Sequence, residues 1–401
     1  MKGLFRQFRD FFVSLKLTVT LLVLSIILIF WATLAQIDLG IWGVHQKFFH
    51  SFFVLENIPG TDIPVPVFPG GYFIGGLLLI NLICAHVSRF RLGWKKAGIW
   101  LTHTGLILLL IGELLSGLWQ EDYDLTLNNG ETKNYSENER YNEVAIIDAT
   151  DPQFDNVVAI PEALIANNET VQHPKLPFRV VPRLYYPNAA LQMRRDAPDA
   201  PSSPATQGMG TQIVATPIPP TTKEDERNLP AAFIELVAPE GSLGTWLVSP
   251  ELPMPQHFSY RGREWKIVMR FERRYLPFSL TLIKFSHDIY PGTEIPKNFS
   301  SRVRINAPGI PGREVLIYMN NPMRAGGLTF YQKSFVAAAD VADEHTTILQ
   351  VVRNPSWLMP YIACSMMALG LVLQFGLHLA AFARRRRAGS APAPSRSPVK
   401  S

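Results

Sequence analysis

The stretch Ala97–Trp119, AGIWLTHTGLILLLIGELLSGLW, decides the class of this protein. Its length is close to the roughly 20 residues that an α-helix needs to cross the hydrocarbon core of a bilayer. It carries two ionisable side chains, His103 and Glu113, among apolar residues. Because ionisable groups at membrane depth are costly, each of the two indicates a function.

Helix geometry separates the small residues of this stretch from its histidine. At about 100° per residue, four small residues lie within about 40° of one another and favour close approach of another helix: Gly98, Gly105, Gly112 and Ser116. His103 projects from nearly the opposite face. Glu113 lies about 15 Å further along and about 80° around, so it cannot share a ligand set with His103. We expect it to orient another site, to pair with a cation or to pack as a protonated acid.

Three further segments are long and nearly uncharged, which predicts an integral membrane protein with four transmembrane helices and one large extramembrane domain. The predicted segments are an amphipathic N-terminus (1–16), first span (17–36), loop (37–67), second span (68–87), loop (88–96), third span (97–119), domain (120–356), fourth span (357–382) and tail (383–401). The first span is too long for the apolar region of a signal peptide, so we expect it to be retained.

The basic residues predict the orientation, because Lys and Arg accumulate on the cytoplasmic side. They flank the spans in three clusters: Lys2, Arg6, Arg9 and Lys16; Arg89, Arg91, Lys95 and Lys96; and Arg384, Arg385, Arg386 and Arg387. Both termini and the loop 88–96 are therefore expected in the cytoplasm, and the loop 37–67 and the domain 120–356 on the exported side.

The exported domain consists of short runs of β-branched and aromatic residues separated by turn residues such as Asn128-Asn129-Gly130 and Gly326-Gly327. This pattern predicts an antiparallel β-rich fold, either a sandwich or a barrel-like sheet. The stretch 195–228 is rich in Pro, Ser, Thr and Gly, so we expect a disordered insertion there, and the same in the tail.

Three histidines are predicted in the cytoplasmic half of the spans: His86, His103 and His378. Histidines near a basic loop are common, and His103 is the deepest of the three. His45 and His50 in the exported loop can meet a ligand, although such residues are more often solvated. A cluster of Arg270, Arg273 and Arg274 can meet an anionic group or line a solvated strand edge.

The sequence lacks the motifs of several classes of protein. The two cysteines, Cys84 and Cys364, both lie in predicted spans, and the chain has no C-x-x-C or C-x-x-C-H. It is therefore neither a thiol-disulfide exchanger nor a c-type cytochrome. A hydrolase is disfavoured because H-E-x-x-H and G-x-S-x-G are absent. Four spans without an internal repeat are also poor material for a transporter.

Three stretches together resemble the ResB (CcsB) family, a component of System II cytochrome c maturation. They are LPFSLTLIKFSHDIYPGTEIPKNFSSRVRI (276–305), NNPMRAGGLTFYQKSF (320–335) and GIWLTHTGLILLLIGELLSG (98–117). The resemblance implies a bacterial cytoplasmic-membrane protein with a periplasmic domain. It also implies a membrane partner of the CcsA/ResC type, apocytochrome c as client, and thioredoxin-like proteins as the thiol reductants. No nucleic-acid partner is expected.

The resemblance further implies that this subunit and its partner carry haem across the membrane and present it for covalent attachment. The family's intramembrane histidine maps onto His103, which implies axial ligation of a transient haem b shared with the partner, with His86 and His378 as weaker candidates. No complete active site of the holocytochrome c synthase is expected in this chain alone. The alternative is a structural scaffold that recruits assembly partners without binding haem.

Overall fold

The computed structural model describes residues 7, 9–61, 63–89, 93–223, 226–293, 296–307, 309–337 and 345–389. The chain divides into two compact units, a helical unit (1–120 and 354–401) and a β-rich unit (121–353). Much of the predicted N-terminal amphipathic segment and most of the predicted disordered tail lie outside the described residues.

Within its described residues, the helical unit contains four helices that are long and apolar enough to cross a membrane. They are α1 (Leu15–Val44), α2 (Gly71–Arg89), α3 (Ala97–Trp119) and α4 (Met359–Gly389). The prediction of four spanning helices is therefore confirmed. The first helix is longer than predicted: α1 bends at Gly40, where the backbone φ is 67°, and continues into a π-helical turn, His45–Phe49.

The small-residue face of α3 packs against α4, as the sequence predicted. A Cβ atom built on Gly98 would lie 2.6 Å from the carbonyl oxygen of Gly370, and one on Gly105 would lie 2.8 Å from that of Ala363. Ser116, the fourth small residue, hydrogen-bonds to Ser356 at 2.8 Å. Only small residues allow two backbones to approach this closely.

Both units contain β-strands, which are numbered in chain order. They are β1 (Phe53–Asn57), β2 (Pro64–Pro69), β3 (Glu121–Leu127), β4 (Thr132–Asp148), β5 (Asn156–Pro161), β6 (Arg179–Tyr186), β7 (Ala189–Met193), β8 (Ile213–Pro217), β9 (Ala231–Ala238), β10 (Gly241–Val248), β11 (Gln256–Tyr260), β12 (Arg263–Ile289), β13 (Pro296–Ala307), β14 (Ile310–Tyr318), β15 (Met323–Ala325), β16 (Leu328–Ala337) and β17 (His345–Arg353). Strands β1 and β2 form a hairpin of the helical unit that the sequence did not predict. Short helical segments lie at Trp94–Lys96, Glu162–Ala166, Arg194–Asp196 and Met209–Thr211.

The β-rich unit is organised by two long antiparallel strands, β4 and β12. They belong to a ten-stranded sheet in the order β14-β13-β12-β4-β3-β17-β16-β15, to which β5 and β11 add at the sides. The sheet is curled, so that β13 comes close to strands at the far end of the sheet order. The hydroxyl of Ser301 on β13 lies 2.6 Å from the side-chain oxygen of Gln332 on β16 and 2.8 Å from the hydroxyl of Thr347 on β17. The predicted antiparallel β-rich fold is confirmed, and of the two predicted forms, sandwich and barrel-like sheet, the ten-stranded sheet is close to the second.

Two apolar cores lie along this sheet. One surrounds Trp265 and is covered by the three-stranded sheet β10-β9-β6. The other lies in the curled part around Leu280 and Phe330. The turn Gly326-Gly327 joins β15 to β16 with both φ angles positive, which glycine adopts without strain.

The expectation of disorder for 195–228 is corrected by the structure. Strand β8, which lies in this stretch, pairs with β7 just before it, and Ala205 and Ile213 are buried in a third core with Leu247. The backbone approaches the sheet closely, since a Cβ on Gly210 would lie 2.5 Å from that of Leu247. The small and polar residues of this stretch bury little side-chain surface, but they allow its backbone to pack directly against the sheet.

Candidate functional site

The structure brings together two of the three predicted membrane histidines. The rings of His86 on α2 and His103 on α3 lie with centroids 6.3 Å apart and planes 25° apart. His86 also packs on the indole of Trp100, with the centroids 4.7 Å apart, and its Nε2 lies 3.3 Å from the hydroxyl of Thr104. Because α2 ends and α3 begins at the same end of the unit, the two rings lie at one depth.

The orientation of the His103 ring follows from a backbone contact. Its Nδ1 lies 2.8 Å from the carbonyl oxygen of Ile99, one helical turn earlier. A carbonyl oxygen can only accept, so Nδ1 carries the hydrogen and the lone pair of the neutral ring is on Nε2. An imidazole whose tautomer is fixed in this way suits iron ligation through the second nitrogen.

The third predicted histidine, His378, lies elsewhere. It is on the exposed face of α4, where its Nε2 lies 2.7 Å from the amide nitrogen of Gln374. This contact is one helical turn within a single helix. His86, and not His378, is therefore the histidine that accompanies His103.

A second group of ionisable residues lies at the other end of the helical unit. The π-helical turn places the rings of His45 and His50 with centroids 5.8 Å apart, and the ring of His50 stacks on Tyr72 at 5.6 Å. Both histidines and Glu113 line one cavity. The loop histidines thus belong to a formed site, and Glu113 lies with them instead of with His103. Sequence reasoning missed Tyr72, for which no spacing gave a signal.

The basic cluster in β12 is paired within the protein. Arg270 binds the buried Glu143 at 2.8 Å and Arg273 binds Glu137 at 2.8 Å, while Arg274 pairs with Glu121. Arg270 retains only 13% of its side-chain exposure. These arginines therefore stabilise strand pairing, and neither a solvated strand edge nor an anion site describes Arg270.

The β-rich unit also contains a carboxylate pair that the sequence did not predict, a buried Asp124 beside a partly exposed Glu139. The ammonium of Lys333 lies 2.6 Å from Asp124 and 3.0 Å from Glu139, and Arg227 binds Glu139 at 2.6 Å. Burial and the adjacent Glu139 raise the pKa of Asp124 to about 7. Burial acts to raise the pKa of Glu139, but hydrogen bonds from Asp124 and Lys333 lower it overall. The pair therefore holds a proton near neutral pH.

Comparison with known proteins finds a family match in the C-terminal half of the β-rich unit. A model of the ResB-like family matches residues 261–345, from the start of β12 to the start of β17. Protein NrfI of Wolinella succinogenes is 36% identical over 98 residues, which cover 24% of this chain and 10% of that protein. The match thus spans about a tenth of the relative's length. The matched β-region and the apolar helices both agree with the predicted resemblance to the ResB-like family.

Proposed function

We propose that this protein is a membrane subunit of cytochrome c biogenesis that delivers haem. The match of residues 261–345 to the ResB-like family and the similarity to protein NrfI support the role in cytochrome c biogenesis. In the finer form of the proposal, the chain works with a CcsA/ResC-type membrane partner, with the β-rich unit on the exported side. Together they carry haem across the membrane and present it to apocytochrome c.

The observation that carries the haem proposal is the geometry around His103. In the neutral tautomer its Nδ1 donates to the carbonyl of Ile99 and its Nε2 carries the lone pair, so Nε2 is the atom through which this ring would ligate iron. The ring projects from the face of α3 opposite the glycines that contact α4, toward His86. Haem is the transported substrate here, a haem b held transiently and shared with the partner, whose helix supplies the second axial ligand.

The chain supplies no reducing chemistry in this proposal. Thioether formation needs reduced cysteine thiols on the apocytochrome and reduced haem iron held together. Cys84 on α2 and Cys364 on α4 are free thiols within candidate spans, and the sequence has no other cysteine. Thioredoxin-like proteins therefore keep the apocytochrome thiols reduced, and this subunit contributes binding and position.

A maturation assay in cells tests the proposal. The chain and a CcsA/ResC-type partner are produced in a host lacking its own maturation system, and covalently attached haem is measured on a reporter cytochrome c. We expect His103→Ala to lower the yield at least tenfold and imidazole in the medium to restore part of it. His378→Ala is the matched control and retains the wild-type yield.

Three results would contradict the proposal in different ways. Full maturation with His103→Ala would exclude this histidine as an essential ligand. Loss of maturation with His378→Ala but not with His103→Ala would transfer the role to α4. If the wild-type pair matures the reporter while the purified complex never contains haem, the scaffold interpretation replaces haem delivery.

A further inference from the structure

The helical unit contains a cavity of about 480 Å³ at the end where α2 begins and α3 finishes. This volume is within the range of small-molecule sites in proteins. Its walls are mainly apolar and include Ile29 of α1, Leu79 of α2 and Leu110 of α3. The cavity is therefore an apolar chamber between three candidate membrane-spanning helices.

Two glycines of α2 keep this chamber open. A Cβ atom built on Gly75 or on Gly76 would meet no other atom within 4 Å, in contrast to the tight glycines of α3. Glycine is less favourable than alanine inside a helix, and here close packing does not require it. What these glycines do is leave a flat backbone surface along one wall of the cavity.

Polar groups converge at one end of the chamber from three elements. The imidazole of His50 stacks on Tyr72 with planes only 6° apart, and the Tyr72 hydroxyl donates to the carbonyl of Gly117 at 3.3 Å. His45 and Glu113 complete this end. A ligand with oxygen substituents on a ring would therefore meet both hydrogen-bond donors and acceptors.

The charge of the lining disfavours acidic ligands. Glu113 is the carboxylate of the cavity, and its lining contains no lysine or arginine. Haem propionates, fatty acids and phospholipid phosphates would face this carboxylate without a lysine or arginine to pair with. Among the described residues, no group of three or more His, Cys, Asp and Glu could hold a metal ion either. The chemistry thus favours a neutral, lipid-soluble ligand.

We propose that this cavity binds the ring of an isoprenoid quinone or quinol. The ring lies along the glycine surface of α2, one quinone oxygen accepts from His50, and the Tyr72 hydroxyl turns from the carbonyl of Gly117 to donate to the other. The isoprenoid tail follows the apolar walls toward the lipid. Glu113 accepts from a quinol hydroxyl. This site does not depend on haem at His103, which is near the other end of α3.

Calorimetric titration of the full chain tests the site. The protein is reconstituted in nanodiscs of phosphatidylcholine free of quinone, and ubiquinone-1 is titrated as the probe. We expect saturable binding that weakens at least tenfold in Gly75→Leu, Gly76→Leu and Tyr72→Phe. Gly376→Leu is the matched control, because it lies on α4 away from the cavity and its Cβ also meets nothing within 4 Å.

Thermal melts of each variant separate loss of the site from loss of the fold. Wild-type protein that takes up ubiquinone-1 without saturation would overturn the proposal, as would equal affinities in wild type and a folded Gly75→Leu variant. Equal weakening in Gly376→Leu would show that the probe senses the bilayer instead of the cavity. If haemin binds and only haemin is excluded by Gly75→Leu, the chamber is a haem site and the quinone assignment fails.

Discussion

Ionisable side chains have different partners in the helical unit and in the β-rich unit. In the β-rich unit, buried charges meet opposite charges, as in Arg270 with Glu143 and Lys333 with Asp124. In the helical unit, His103 contacts a backbone carbonyl and another imidazole, and Glu113 lines a cavity beside histidines. The ion pairs of the β-rich unit stabilise its fold, which explains why these charges are there. The ionisable groups of the helical unit are costly in a membrane and indicate binding.

The largest effect that would test this difference is on the stability of the β-rich unit. Arg270→Ala leaves Glu143 buried and uncompensated, which we expect to cost about 3–5 kcal/mol of unfolding free energy. Chemical denaturation of the full chain followed by tryptophan fluorescence measures it. The matched control is Arg304→Ala, whose pair with Glu314 is about half exposed and is worth at most about 1 kcal/mol. Equal effects of both changes would remove the structural explanation for the arginine cluster.

The next effect concerns the packed face of α3. Gly105→Leu forces a side chain against the Ala363 carbonyl and Met367, and overpacking of this kind costs about 1–3 kcal/mol. The melting temperature of the detergent-solubilised protein should fall well below that of Gly376→Leu, where the added Cβ meets open space. If both variants melt alike, α3 and α4 do not pack through this glycine.

A smaller effect is expected at the second histidine of the membrane pair. His86 lies against His103 and Trp100, so His86→Ala should loosen the position of the His103 ring. Loss of such a positioning contact typically lowers metal affinity about tenfold or more. Haem titration of the purified complex measures it, and His86→Ala should bind haem more weakly than wild type but more tightly than His103→Ala. Weaker binding by His86→Ala than by His103→Ala would make His86 the ligand.

A further effect is a pH dependence of the β-rich unit. The pKa of Asp124 is about 7 in the folded chain against an ordinary value of 3.8, so the folded state favours its protonated form. Its contribution to stability is complete below about pH 4 and is lost as the pH rises to about 7. The melting temperature should therefore decline between pH 5 and pH 8, with Lys333 limiting the loss. Asp124→Asn should flatten this decline, and an unchanged slope would contradict the assignment.

The sequence predicted the features that follow from periodicity and apolar length. The four helices, the glycine face of α3 and the antiparallel β-class could be read because each depends on local spacing or composition. Packing of 195–228 could not be predicted, because it depends on the chain lying against Leu247, far away in sequence. Disorder is inferred from what a segment can bury by itself, and this segment buries its backbone on another sheet.

The candidate site was predictable only in part for the same reason. His103 stands out as an imidazole within a span, but its neighbour could not be chosen between His86 and His378 without knowing how the helices pair. The cavity depends on a π-helical turn that brings His45 and His50 together, and one extra residue in a turn leaves no pattern in the sequence. The Asp124–Glu139–Lys333 cluster joins strands that are separated by about half of the chain.

The most direct test of the central claim is the absorption spectrum of the purified complex with its CcsA/ResC-type partner. Wild type, His103→Ala and His103→Ala with added imidazole are compared at equal protein concentration. The haem-delivery proposal predicts a Soret band in wild type, its collapse or shift in the variant, and its return with imidazole as a replacement ligand. A wild-type complex that contains haem and a His103→Ala complex with the same spectrum would contradict it.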